Sequence, residues 1–300
     1  MKGGGTAEIA FDARNVVGES AVWDDRSGTL YWVDIVGHRI HALTPESGDH
    51  RSWPTPGMVT SIGLRQDGGA VVGLQRTVAL WDFDEDFRTL VEVEPDRPDN
   101  RLNEGVVGPD GAFWVGTMQN NVNPDGSPRD VTNAEGRLYR VTARGSVFPL
   151  SDDRFGITNT LAWPADDRLI TADTMENALY AYDYDAATGR LLNRQTILKD
   201  FDRGLPDGSC MDAVGYVWNC RVVGGACLAR LTPDGTVDRI VELPCTWPTS
   251  CAFGGPDLAT LYVTSARFTM SEEHLAETPW EGALFRLDVG ETGRPAYRFG

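Results

Sequence analysis

The chain has 300 residues, with 27 Lys and Arg against 44 Asp and Glu, a formal charge of −17. A surface this acidic repels phosphate backbones and anionic headgroups, which excludes nucleic-acid binding and docking on anionic membranes as main roles. Charged residues at 24% and hydrophobics at 41%, with nine Trp and eleven Phe, exclude a disordered or fibrous chain and supply a sizeable core.

Residues 1–7 read as a flexible leader without the apolar run of a secretory signal. From there the chain repeats one pattern. Short apolar or aromatic runs follow acidic or glycine turns: 30–35 (LYWVDI), 70–74 (AVVGL), 112–117 (AFWVGT), 169–173 (LITAD), 216–220 (YVWNC) and 261–265 (LYVTS). A second run follows each, at 39–43, 78–83, 137–141, 178–184, 227–231 and 283–287. Helical periodicity is nearly absent and no stretch is long and apolar enough to span a membrane. Six all-β units of this size predict a single six-bladed β-propeller over residues 1–300, with residues 8–12 supplying the strand that closes the ring against the last blade. A β-sandwich or solenoid is the alternative. The five cysteines, an odd number without a C-x-x-C, read as free thiols in a reducing, cytoplasmic setting.

Aligning the strand before each acidic turn brings one polar position into register: Glu19, Ser61, Asn103, Asn159, Asp207 and Thr249, spaced by 42, 42, 56, 48 and 42 residues. The innermost strand of a propeller blade lines the central channel, so six equivalent side chains are expected to converge on the axis. Two carboxylates meeting there without a Lys or Arg in the column would repel, and a divalent cation would relieve them. An all-oxygen set suits Ca²⁺, Mg²⁺ or Mn²⁺ best, with Zn²⁺ or Fe²⁺ open when ligands are few. The alternative is a hydrated channel mouth. Arg101, two residues before Asn103, would share its side of the strand and present a fork of donors to hydroxyls or a carboxylate; a surface ion pair with Glu104 or Asp99 is the alternative. The four histidines lie outside the column. The acidic runs 82–86 and 92–99 read as solvated edges.

These residues carry a resemblance. Gly18-Glu19-Ser20, Leu30-Tyr31-Trp32-Val33-Asp34-Ile35, Arg101-Leu102-Asn103-Glu104-Gly105, Gly116-Thr117-Met118, Pro206-Asp207-Gly208 and Cys251-Ala252-Phe253-Gly254-Gly255 run in order along almost the whole chain. The chain thereby resembles the senescence-marker-protein/gluconolactonase/luciferin-regenerating, or regucalcin-like, sugar lactonase family. The resemblance implies a six-bladed propeller with one divalent metal at one end of the central channel, held by Glu19, Asn159 and Asp207. It places Arg101 and Asn103 over that metal as substrate contacts, and it implies hydrolysis of aldono-lactones to aldonic acids. Two positions depart from the family pattern. Thr160 stands where a glycine often follows the ligand asparagine. Asn121 stands where animal members carry a glutamate that contacts substrate, and it opens a long polar loop up to Glu135.

The bacterial pentonolactonases look closer than the glucono-type enzymes, so a pentono-lactone such as arabinono- or xylono-lactone is the expected substrate, with Asn121 among its contacts. The metal would polarise the lactone carbonyl while Asp207 activates water. A gluconolactonase, a paraoxonase-like esterase and a non-catalytic Ca²⁺-binding propeller are the alternatives. The partner is expected to be a small sugar lactone, and the assembly a monomer or small homo-oligomer.

Overall fold

The structure is a computed structural model, and it describes residues 6–300. The expected flexible leader falls, for residues 1–5, outside the described residues. Ala7 already packs against the core of the last blade.

Twenty-four strands form six four-stranded antiparallel sheets. Blade 1 holds β1's successors in chain order: β1 is Glu8–Phe11, and the blade itself comprises β2 (Gly18–Asp24), β3 (Thr29–Asp34), β4 (Arg39–Thr44) and β5 (Asp49–Pro54). Blade 2 is β6 (Val59–Leu64), β7 (Ala70–Leu74), β8 (Thr77–Trp81) and β9 (Phe87–Glu92). Blade 3 is β10 (Asn100–Val107), β11 (Phe113–Gln119), β12 (Leu138–Val141) and β13 (Val147–Pro149). Blade 4 is β14 (Thr158–Ala165), β15 (Arg168–Asp173), β16 (Ala178–Asp185) and β17 (Arg190–Lys199). Blade 5 is β18 (Leu205–Met211), β19 (Val217–Val222), β20 (Cys227–Leu231) and β21 (Val237–Glu242). Blade 6 takes β22 (Pro248–Gly254), β23 (Thr260–Ser265) and β24 (Leu284–Asp288) from the end of the chain. Its outer strand is β1, paired antiparallel with β24 through Glu8 opposite Arg286 and Ile9 opposite Phe285. The ring is closed by the strand expected to close it.

The core explains why the blades stack. Hydrophobic side chains form six clusters, and each lies between two neighbouring blades. Trp81, Trp114 and Trp218, all fully buried, each lie on the second or third strand of a blade and face a neighbouring sheet. Their indoles still find acceptors: Trp114 Nε1 donates to Asp110 Oδ1 at 3.0 Å and Trp218 Nε1 to Asp212 Oδ2 at 3.2 Å. A single blade could cover neither of its faces, so the ring is the smallest unit that hides them all from water. The inner strands β2, β6, β10, β14, β18 and β22 pack one against the next and β22 against β2, leaving a channel along the axis.

The lower end of that channel is crossed by the C-terminal segment. Gly293 bridges to Asp212 in blade 5, Arg298 donates to Asp24 and Asp25 in blade 1, and Phe299 exchanges backbone bonds with Leu64 and Gln66 in blade 2. Arg298 and the Ser27 hydroxyl hold the Asp24 carboxyl below its ordinary value in spite of partial burial. One short helix, α1 (Glu272–Glu277), sits in the β23–β24 connection, capped by the Ser271 hydroxyl. The acidic stretch 92–99 is not wholly solvated: Glu94 is buried and accepts from the Tyr139 hydroxyl at 2.7 Å and Asn100 Nδ2 at 2.8 Å.

A chain shortened to begin at Ala13 lacks β1 and leaves blade 6 with an unpaired edge. It is expected to unfold at a lower urea concentration than the full chain; an unchanged midpoint in circular dichroism would show that the closing strand contributes nothing.

Candidate functional site

The chain brings its polar column to the upper end of the inner strands. All six of those strands break register there: between Glu19 and Val22, Val59 and Ser61, Leu102 and Gly105, Asn159 and Leu161, Pro206 and Ser209, and Pro248 and Cys251. A bulge re-aims the side chains beside it. Two residues directly after the column, Ser20 and Thr160, take left-handed backbone with φ of 52° and 51°.

That geometry accounts for Thr160. The position requires a left-handed φ, which glycine adopts freely and a β-branched residue does not. The Thr160 side chain is fully buried and well bonded: its Oγ1 donates to the Asp207 carbonyl at 2.6 Å, lies 2.8 Å from Ser209 Oγ and accepts from Asn219 Nδ2 at 3.2 Å. Thr160 therefore ties blade 4 to the backbone of Asp207 in blade 5. Asn219 bonds that same carbonyl at 3.2 Å.

Four of the six column residues meet. Glu19 and Asp207 face each other: the Asp207 charge pushes Glu19 toward the neutral acid, and the Glu19 carboxyl, donating a hydrogen bond, works to lower Asp207. Burial is the larger cause: both carboxyls are raised well above their ordinary values, first by desolvation, then for Glu19 by the charges of Asp207 and Glu104 and for Asp207 by that of Glu104. Asn103 Nδ2 donates to the Thr158 carbonyl at 2.8 Å and lies 3.4 Å from Asn159 Oδ1. Asn159 Nδ2 donates to Thr174 Oγ1 at 2.8 Å, and Thr174 donates onward to the Pro206 carbonyl at 2.8 Å. With its NH₂ committed to that chain, Asn159 turns its carbonyl oxygen toward the other side.

The remaining two column residues do different work. The Thr249 hydroxyl donates to the Gly18 carbonyl and contacts Thr264 Oγ1 at 2.9 Å, tying blade 6 to blade 1. Ser61 is buried against blade 3, where a Cβ on Gly105 would stand 2.5 Å from its hydroxyl. Gly105 is what allows the two inner strands to approach so closely.

Arg101 is buried over this group and, among the described residues, takes part in no ion pair at contact distance. Its neighbour Asp99 pairs with Arg129 instead, and Glu104 accepts backbone N–H groups of Gly105 and Thr160. Arg101 Nη1 donates to the Leu102 carbonyl at 2.8 Å and to Asn103 Oδ1 at 2.7 Å, while Nε and Nη2 both donate to Asn121 Oδ1 at 3.2 and 2.9 Å. Asn121 is thus the acceptor that aims the guanidinium. Desolvation lowers the Arg101 pKa to about 10, against the pull of Glu19 and Asp207, whose own carboxyls it lowers in return.

The 120–135 loop is pinned. Gln119 Oε1 accepts from Thr132 and Asn133, and Val122 is buried in the cluster between blades 1 and 2. The histidines stay away from the axis: His41 and His50 contact each other at 3.0 Å beside Trp32 and Phe11 in blade 1, and His274 lies on α1 near Glu281. Thr160 is noted in the sequence only as a departure from the family glycine, and Thr174 and Asn219, which lie on or just after the second strands of blades 4 and 5, carry no signal in a strand-by-strand reading.

Among the described residues, no three His, Cys, Asp or Glu side chains converge as a metal-binding group. The axial donors are instead two carboxylates and one amide oxygen. They fit a hard divalent cation on chemical grounds: the carboxyls are destabilised as anions by burial and by neighbouring negative charge, and the amide oxygen is oriented by Thr174.

A family model described as the SMP-30/Gluconolactonase/LRE-like region matches residues 17–267. The 6-deoxy-6-sulfogluconolactonase of Pseudomonas putida is 37% identical over 284 residues, covering 93% of both chains. A pentonolactonase of Haloferax volcanii is 34% identical over 299 residues, covering 98% of both. The crystal structure of a calcium-binding protein, regucalcin, from Agrobacterium tumefaciens superposes with a TM-score of 0.88 at 29% identity, covering 98% of each chain.

The raised carboxyls carry a sign. The folded, metal-free chain binds more protons at Glu19 and Asp207 than the unfolded chain does, so its stability falls as pH rises from the ordinary carboxylate range through their folded values. Asp207→Asn or Glu19→Gln removes the repulsion. In chelator at neutral pH either variant is expected to melt above the wild type by about 2–4 °C, the shift that about 1 kcal/mol gives a domain of this size. A lower melting temperature for both would show that the pair is not under electrostatic stress.

Proposed function

The chain belongs to the SMP-30/gluconolactonase/LRE-like family, and from that premise we propose that it is a lactonase that opens aldono-lactones, with the axial residues as its active centre. No helix among the described residues is long and apolar enough to cross a membrane, and the substrate class is a small, hydroxyl-rich ring. The observation that carries the reading is a carboxylate pair, Asp207 buried and Glu19 half-buried, under a buried arginine that has no contact-distance carboxylate of its own among the described residues.

Glu19, the Asn159 carbonyl oxygen and Asp207 are the residues that would hold one divalent cation, Ca²⁺ by donor hardness, with Mg²⁺, Mn²⁺, Zn²⁺ or Fe²⁺ as competitors. When bound, the cation supplies Lewis-acid polarisation of the lactone carbonyl. The chain's own residues supply the rest. Asp207 accepts a proton from the water that attacks the carbonyl carbon. The ring C–O bond then breaks, and the same proton passes to the departing ring oxygen, which becomes the hydroxyl of the aldonic acid. Arg101 balances the negative charge that develops on the carbonyl oxygen, with Asn103 and Asn121 holding its guanidinium in place. Thr160 and Asn219 fix the Asp207 backbone so that its carboxyl needs little reorganisation.

The pentonolactonase relative spans nearly the whole chain, and the neutral Asn121, already engaged by Arg101, stands where animal members present a carboxylate. Both support a pentono-lactone as substrate. The sulfogluconolactonase relative favours a six-carbon ring as the second reading.

An indicator assay over five- and six-carbon aldono-lactones, with a series of divalent ions added to chelated protein, tests the proposal. Hydrolysis is expected with pentono-lactones, lost in chelator and restored by add-back. Asp207→Ala should lower kcat by about 10²–10⁴-fold and Arg101→Ala by about 10²–10³-fold. Thr174→Val is expected to weaken cation affinity by about 10–100-fold in calorimetry, and Thr174→Ser to restore it. Full activity of metal-free protein or of Asp207→Ala would end the mechanism.

A further inference from the structure

The proposed chemistry uses no thiol, yet three of the five cysteines gather beneath it. Cys210 lies on β18 three residues beyond Asp207, Cys220 on β19, and Cys251 on β22 two residues beyond Thr249. Cys251 Sγ stands 3.4 Å from Cys210 Sγ across the junction of blades 5 and 6. A cavity of about 430 Å³ occupies the channel below the axial residues, and both Cys210 and Cys251 line it, whereas Cys220 does not. Its lower wall includes Arg294, Pro295 and Tyr297, all exposed, so the cavity reaches solvent past the C-terminal segment. Cys227 and Cys245 are buried elsewhere.

We infer that Cys210 and Cys251 are a reversible oxidation site: hydrogen peroxide entering the channel cavity converts the pair to a disulfide that staples the inner strands of blades 5 and 6. The Cys251 sulfur attacks one peroxide oxygen. The O–O bond breaks, hydroxide leaves and takes up the thiol proton as water, and Cys251 becomes a sulfenic acid. The Cys210 sulfur then attacks the Cys251 sulfur; the S–O bond breaks, and hydroxide leaves with the Cys210 proton as a second water. Two thiols are oxidised by two electrons and one peroxide is reduced to two waters.

Geometry assigns the roles. The Cys251 sulfur contacts that of Cys210, and Cys210 and Cys220 together hold its thiol down at about 5 in spite of burial. Burial instead pushes the Cys210 and Cys220 thiols up. Cys210, the only half-buried member, is the one that shares the cavity and so resolves the intermediate. Closing the bond requires the sulfurs to approach by about 1.4 Å, to the usual disulfide length. The inference is independent of the lactonase reading.

The test treats the intact reduced protein with dilute hydrogen peroxide, blocks remaining thiols in denaturant, and maps cross-links without reduction. Trypsin leaves Cys210 and Cys220 in one peptide, so chymotrypsin, which cuts at Tyr216 and Trp218, separates them. The expected product is a Cys210–Cys251 cross-linked peptide lighter by two hydrogens, reversed by dithiothreitol and absent from both Cys210→Ser and Cys251→Ser. A Cys220–Cys251 link, sulfinic acid at Cys251 without a cross-link, or persistence of both thiols under peroxide that oxidises exposed Met175 would each overturn it. The wild-type map decides the question even if a serine variant fails to fold.

Discussion

Two carboxylates held together at the end of the channel, Asp207 buried and Glu19 half-buried, are the constraint on which this molecule turns. Glu19 and Asp207 come from blades 1 and 5, nearly two hundred residues apart in the chain, and only ring closure brings them face to face. Their environment disfavours both negative charges, and Arg101, aimed by Asn103 and Asn121, offsets only part of the cost. Such a group stores unfavourable energy that a hard cation can release, and a site of that kind is built at the expense of stability.

The surrounding architecture is organised to bear that cost. Six apolar clusters lie between the blades, so the stabilising burial is supplied by blade stacking and not by the axial residues. The upper end of the axis is left to polar residues, and the register breaks in all six inner strands sit beside them, while the cavity below is lined largely by apolar side chains such as Val22, Ile62, Leu161 and Phe253. Thr160 illustrates the trade. Its left-handed backbone is unfavourable for a β-branched residue, and its hydroxyl recovers the loss through bonds to the Asp207 carbonyl and Asn219.

Much of this was legible in the chain. Strand runs such as 30–35 and 169–173 announce themselves by apolar content between acidic turns, and the spacing of Glu19, Asn103, Asn159 and Asp207 places them on equivalent strands. Apart from β1, the outer strands were not legible, because segments such as β5 and β17 are largely exposed and lack an alternating pattern. Nor was α1, a single capped turn and a half that buries none of its residues. Equivalence in sequence also overstates convergence: Ser61 and Thr249 share the column yet spend their hydroxyls between blades. Asn121 is legible as a site residue, but its service to Arg101 depends on a loop that returns across blade 1.

The most direct measurement is the anomalous difference density of a crystal grown with Mn²⁺. The account predicts a single strong peak on the axis, within coordination distance of a Glu19 carboxylate oxygen, the Asn159 amide oxygen and an Asp207 carboxylate oxygen. No axial peak at saturating Mn²⁺, or a peak bound by other residues, would contradict it.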